Sequence, residues 1–162
     1  MSLPHPRALS WCFSTLGCPE FSLEEACDLA NAYGIRCLEL RFLENEVELP
    51  KLFMAKYASP ARLREALERA SVRVVALDTS FKLIGSSAAE REALLAFIPW
   101  AEALGIPRLR VFDGGRKGAS FTSALREEAW GTWNWWKGLR AKKGWRSDLM
   151  IETHDALASA SA

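Results

Sequence analysis

The sequence predicts an α/β fold built on a parallel sheet, and three observations carry that prediction. Five short apolar runs alternate with segments of helical periodicity. Two of those segments open on a capping box and close on glycine. The central run Val72–Leu77 (VRVVAL) is β-branched, as strands buried on both faces are. With 49% hydrophobic and 25% charged residues, the 162-residue chain has the usage of a globular protein with one core. Residues 1–162 are read as a single domain.

Each element has its own local reason. Trp11–Leu16 is the first strand, followed by Gly17, Cys18 and Pro19 as a loop. In Ser22-Leu23-Glu24-Glu25 the serine hydroxyl can accept the third helical N–H while Glu25 reaches back to the cap. Leu23, Ala26, Cys27, Ala30 and Tyr33 then recur at helical spacing, and Gly34 supplies a left-handed end. Arg36–Arg41 (RCLELR) is the second strand. Pro60 suits a first helical position, where its missing N–H costs nothing, and Leu63, Ala66, Leu67 and Ala70 form the stripe behind it. After the third strand, Ser87-Ala88-Ala89-Glu90 opens a helix running toward Leu104, with a kink or break at Pro99. Gly105 and Pro107 end it, and Arg108–Phe112 (RLRVF) is the fourth strand. Thr122 to about Lys143 is the fourth helix, weakened by Gly131 and Gly138, and Leu149–Thr153 (LMIET) is the fifth strand.

Four right-handed crossovers between five parallel strands are shared by two architectures. A doubly wound sheet of flavodoxin type fits the length and has the strand order 2-1-3-4-5. A (β/α)₈ barrel needs about 250 residues and would run in sequential order, cut after strand five. Only Ala156–Ala162 (ALASASA) follow Asp155, too few for a helix over the last strand. The expectation is therefore an incomplete TIM barrel lacking strands six to eight, with the flavodoxin-like sheet as the alternative.

Charge and composition narrow the function classes. A formal net charge of +1 gives no long-range attraction to nucleic acid or to an anionic membrane. No apolar run is long enough to span a bilayer, and MSLPHPRALSW lacks the features of a secretory signal, so a cytoplasmic location is expected. Cys12, Cys18, Cys27 and Cys37 form no C-x-x-C pair and read as buried, reduced thiols. His5 and His154 are too remote in sequence to suggest a zinc site. Trp130, Trp133 and Trp136 fall three apart among basic residues; they read as helix packing rather than as a stacking platform for single-stranded nucleic acid.

The run Leu149–Asp155 (LMIETHD) ends an apolar strand in Glu-x-His and resembles the fifth strand of the sugar phosphate isomerase/epimerase family, with its xylose isomerase-like barrel. FSTLGCPEFSLEEACDLANAYGIRCLELR, VVALDTS and ALGIPRLRVFDGG agree with that family in order and spacing. The resemblance covers nearly the whole chain, except the tryptophan-rich helix and the last seven residues. It implies a metal-dependent enzyme moving a proton between adjacent carbons of a sugar or sugar phosphate. A divalent ion (Mn, Mg or Zn) would hold neighbouring oxygens and stabilise developing charge.

By the same resemblance Glu152 is a catalytic group and a metal ligand. His154, two residues on, would share its face and point into the C-terminal mouth. A solvated carboxylate at a strand end is the alternative for Glu152, and simple substrate binding the alternative for His154. Three further ligands are implied from strands six to eight, so the ion would bind only if those were supplied. The chain alone is expected to be inactive.

Other candidates follow from strand spacing. Glu39 and Arg41 share a face near the end of strand two, where Arg41 could hold a substrate phosphate or carboxylate; a structural ion pair is the alternative. Asp78 and Asp113 close strands three and four as substrate-facing groups or as turn and cap residues. The DGGRKG stretch from Asp113 matches no phosphate-binding fingerprint and reads as a mobile loop. A non-catalytic self-associating half-barrel and a small-molecule binding domain are the competing functions. Unpaired edges at strands one and five, with an uncovered inner face expected to be apolar, predict a homo-oligomer.

Overall fold

The structure is a computed structural model that describes residues 9–118 and 120–158; His5 and most of the ALASASA ending lie outside the described residues. In chain order it contains β1 (Cys12–Ser14), α1 (Leu23–Ala32), β2 (Cys37–Leu40), α2 (Leu49–Tyr57), α3 (Pro60–Arg69) and β3 (Arg73–Ile84). Then come α4 (Ala88–Ala96), α5 (Ile98–Leu104), β4 (Arg108–Gly114), α6 (Ser123–Lys143) and β5 (Asp148–Glu152). All strand pairs are parallel and the order is β1-β2-β3-β4-β5. Sequential order is that of a partial (β/α)₈ barrel, and it rules out the flavodoxin arrangement.

Local chemistry sets most helix limits. Both capping boxes form: Ser22 Oγ accepts from Glu25 N at 3.2 Å and Glu25 Oε2 from Ser22 N at 2.8 Å, with the same exchange between Ser87 and Glu90. Pro99 does more than kink its helix. It sits in the first turn of α5, and Phe97 separates α5 from α4. The unexpected α2 has Pro50 in its first turn and closes on Ala58 in the left-handed region. It buries only Leu49 and Phe53, too thin a stripe to stand out as periodic. Two crossovers thus carry two helices each, giving six α-helices among the described residues instead of four.

Strand limits also differ. β1 stops at Ser14 because Thr15–Gly17 coils into a short 3₁₀ turn, where buried Thr15 Oγ1 accepts the N–H groups of Arg41 and Phe42 at 2.9 and 3.3 Å. β3 continues six residues beyond Asp78 to Ile84, with a register break between Asp78 and Lys82, so Asp78 lies inside the strand. At the end of β4, Gly114 has φ +74°, and a Cβ there would lie 2.2 Å from the Ile84 carbonyl oxygen. Glycine alone lets the two strand ends approach this closely.

Alternation gives the sheet two faces. Leu38, Leu40, Leu77, Leu109 and Val111 face the helices and form one core with Phe53, Leu63 and Trp136. Trp133, Trp135 and Trp145 pack against that core, and Trp136 Nε1 donates to Asp148 Oδ1 at 3.0 Å. Trp130 does not join them and is 63% exposed. Each step of three residues turns the side chain by about 60° relative to the last, so the first and third tryptophans cannot share one face. Cys18, Cys27 and Cys37 are buried, but Cys12 is exposed, a correction to the expected four buried thiols. No helix among the described residues is long and apolar enough to cross a membrane.

Candidate functional site

The inner face of the sheet, opposite the helices, carries charge where an apolar surface was expected. Glu39 on β2, Arg41 immediately beyond its end, Asp78 on β3, Arg110 on β4 and Glu152 on β5 meet there. Register explains the meeting. Asp78 pairs across the sheet with Arg110, whose partner on β5 is Met150, and Glu152 is the next inward position. Ser14 lies opposite Glu39 and donates to its Oε1 at 2.9 Å.

Arg110 is the centre of the cluster. Its Nη1 binds Glu152 Oε2, and its Nη2 binds Asp78 Oδ2 and lies 3.2 Å from Glu39 Oε1. Arg41 adds a second guanidinium, with Nε 3.5 Å from Asp78 Oδ2 and Nη1 donating to Ser80 Oγ at 3.2 Å. The Arg41 guanidinium also lies over the Phe112 ring, 5.7 Å from its centroid. Asp78 is only 1% exposed. Burial pushes its pKa up to about 6, against the opposing pull of Arg41 and Arg110.

The sequence-predicted residues divide. Glu39, Arg41, Asp78 and Glu152 come together. Asp113 does not: it is fully buried, and its carboxylate accepts the backbone N–H groups of His154, Asp155 and Leu157 at 3.0, 2.8 and 2.5 Å. Burial works to raise the Asp113 pKa, but those N–H groups outweigh it and hold the group below the usual aspartate range. Its geometry is that of a cap on the chain leaving β5, not of a substrate contact. The DGGRKG loop that it opens is tied to the same segment, with Ala156 N donating to Gly114 O at 3.1 Å.

His154 lies beyond the end of β5, so strand alternation does not place it. Its ring meets Phe112 edge-on at 5.3 Å, and Nδ1 is 3.1 Å from Asp155 Oδ1. It therefore sits at the rim on the side of Phe112 and Arg41. Sequence reasoning missed Arg110 and Ser14 altogether. The available signal was the alternation of Arg108, Arg110 and Phe112 with apolar Leu109 and Val111, which assigns Arg110 to the face opposite the core.

Five sequential parallel strands with helices on one face define the class of fold: part of a TIM barrel. No sequence-family model and no curated protein matches the chain. Among solved structures, it is similar to the probable 3-DHS dehydratase AsbF involved in petrobactin synthesis from Bacillus anthracis, at a TM-score of 0.72 and 17% identity, over 91% of this chain and 53% of that one. A xylose isomerase domain containing protein from Salmonella typhimurium LT2 matches at 0.67 and 13%, over 90% and 51%. The IolI protein, solved with a zinc atom, matches at 0.65 and 12%, over 88% and 51%. The chain thus spans about half the length of these structures, and at such identities the likeness is one of fold.

The residues of this chain do not fit the divalent ion that the resemblance implies. Glu152, the expected ligand, is paired with Arg110, and a guanidinium stands among the carboxylates that could have held a cation. Among the described residues no group of three or more His, Cys, Asp or Glu side chains is placed to hold a metal ion.

Proposed function

We propose that this chain is the N-terminal part of an enzyme that isomerises or epimerises a sugar or sugar phosphate by proton transfer between adjacent carbons. The single observation that carries the reading is the cluster of Glu39, Arg41, Asp78, Arg110 and Glu152, drawn from four adjacent strands onto one inner face. Alternating carboxylates and guanidiniums suit a polyol. The carboxylates accept from hydroxyls, and the guanidiniums donate to hydroxyl, phosphate or carboxylate oxygens.

Within the cluster the roles follow burial and position. Asp78 lies deepest, Arg110 at the centre orients the others, and Glu152, a third exposed at the end of β5, is the group placed to touch substrate and exchange a proton with it. Arg41 and Glu39 bind substrate oxygens, and His154 closes the rim. Asp113 positions the His154 backbone without touching substrate. A divalent ion would join Glu152 only with ligands from beyond this chain, and no step is assigned to it here. Unpaired outer edges on β1 and β5 favour a homo-oligomer or a completing segment in the cytoplasmic enzyme.

A titration of the isotopically labelled chain with a panel of pentoses, hexoses and their phosphates, read by NMR, tests this reading, alongside a ketose–aldose assay. Shifts centred on Glu39, Arg41 and Glu152 for at least one sugar are expected, with no turnover by the chain alone. An absence of shifts across the panel would reject the reading in favour of a purely structural ion-pair network.

A further inference from the structure

At the N-terminal end of the sheet, away from the charged cluster, two thiols and a guanidinium stand in one row. Cys12 on β1 is the register partner of Cys37 on β2, and Cys37 is in turn the register partner of Arg73 on β3. We propose that Cys12 and Cys37 are a dithiol that hydrogen peroxide closes to a disulfide, with Cys37 attacking the peroxide and Cys12 resolving it, and that the bond pins the edge strand β1 to β2. This inference does not depend on the sugar reading.

Register brings both sulfurs to one face. Cys12 alternates with Ser14 and Cys37 with Glu39, so the two thiols share the inward side. One step along the same two strands, Ser14 Oγ reaches Glu39 Oε1 at 2.9 Å, so inward side chains in register do touch here. Adjacent strands lie about 4.8 Å apart, within the Cα separation of about 4.4–6.8 Å that a disulfide spans. Cys27 belongs to α1 and Cys18 to the turn after β1, so neither joins this row.

Access and charge separate the roles of the two thiols. Cys12 is exposed, and Cys37, though buried, lines an open cavity of about 470 Å³ with Trp11, Arg36 and Arg73. Arg73 Nε donates to Cys37 Sγ at 3.3 Å, a contact with a cation of the kind that marks nucleophilic thiols. Cys12 Sγ instead donates to the Phe13 carbonyl at 3.8 Å. The Cys37 sulfur attacks one peroxide oxygen: the O–O bond breaks, an S–O bond forms, and the departing hydroxide takes the thiol proton as water. The Cys12 sulfur then attacks the Cys37 sulfur, the S–O bond breaks, and the hydroxyl leaves with the Cys12 proton as a second water. Two thiols are oxidised to one disulfide and one peroxide is reduced to two waters. The bond acts where the sheet is weakest, because β1 is three residues long and has β2 as its only neighbour.

The test treats the intact chain, at high dilution, with stoichiometric hydrogen peroxide and reads the products by mass spectrometry after alkylation of the remaining thiols. A single intramolecular bond between Cys12 and Cys37 is expected, with two hydrogens lost from the mass and regained in dithiothreitol. In the oxidised chain amide exchange along β1 should slow severalfold and the urea midpoint should rise. In Cys12→Ser no bond can close, and dimedone should capture a sulfenic acid on Cys37. Unreacted thiols after treatment, a bond to Cys18 or Cys27, or a dimer joined through Cys12 would overturn the proposal. So would unchanged exchange along β1 in the oxidised chain, or a folded Cys12→Ser that yields no Cys37 adduct.

Discussion

The two faces of the sheet are cut from the same strands, residue by residue, yet they obey opposite rules. Outward, Leu38, Leu40, Leu77, Leu109 and Val111 are fully buried under the helices. Inward, the alternate positions hold Ser14, Glu39, Arg41, Asp78, Arg110 and Glu152, joined by ion pairs and hydrogen bonds. The outer face holds the chain together, while the inner face spends some of that stability on buried charge. The division weakens toward β5. Val111 is 0% exposed, whereas its register partner Ile151 is 39% exposed and lines an open cavity beside α6 with Trp130 and Trp133.

The largest effects belong to the outer face. Trp136 is fully buried and packs against Trp135 and Trp145. Trp136→Ala should lose about 3–5 kcal/mol in urea denaturation, and Leu109→Ala about 2–5 kcal/mol, from lost transfer energy and the cavity left behind. Inner-face substitutions that cost as much would break the comparison.

Next in size is a pH effect on the inner face. Burial raises the Asp78 pKa from 3.8 to about 6, so between those values the folded state holds a proton that the unfolded state has released. The contribution of Asp78 is thus fully present below pH 3.8 and is lost as pH rises to about 6. A change of this size corresponds to about 3 kcal/mol. Asp78→Asn should flatten this decline in stability measured from pH 4 to 7, even though Arg110 loses a charged partner.

Asp113 should behave with the opposite sign. Its pKa is lowered, so its contribution is present above pH 3.8 and is lost as pH falls through the lower folded value. Asp113→Ala leaves the N–H groups of His154, Asp155 and Leu157 without their acceptor, at a cost of about 2 kcal/mol. Faster hydrogen exchange should be confined to those amides.

Local signals made the fold legible. Capping boxes at Ser22 and Ser87, the left-handed glycines and the apolar runs placed the strands in order, and the motifs quoted from them pointed to the right barrel. What escaped was non-local. Arg110 stands inside the fourth strand, where no candidate was singled out, and its partners lie 32 to 71 positions away along the chain. Asp113 admitted two readings, substrate contact or cap, and the cap is what forms; its three donors come from the far side of α6, a connection no short pattern announces. His154 was assigned by alternation to a strand that in fact ends two residues earlier.

The smallest stability effect, and the sharpest test of the comparison, is at Glu152. Its side chain is a third exposed, and its partner Arg110 keeps Asp78 and Glu39 when the pair is broken. Partly exposed ion pairs contribute about 0–1 kcal/mol, so Glu152→Gln should shift the urea midpoint by no more than that corresponds to. The same substitution removes the charge and turns one of the two acceptor oxygens into a donor, while keeping the size and much of the shape of the side chain. Sugar-induced NMR shifts should therefore weaken severalfold or vanish with the fold intact, separating function from stability at a single position. A destabilisation as large as that of Trp136→Ala would instead mean that Glu152 serves the fold, and the division of labour between the two faces would fail at β5, the strand whose outward Ile151 is already exposed.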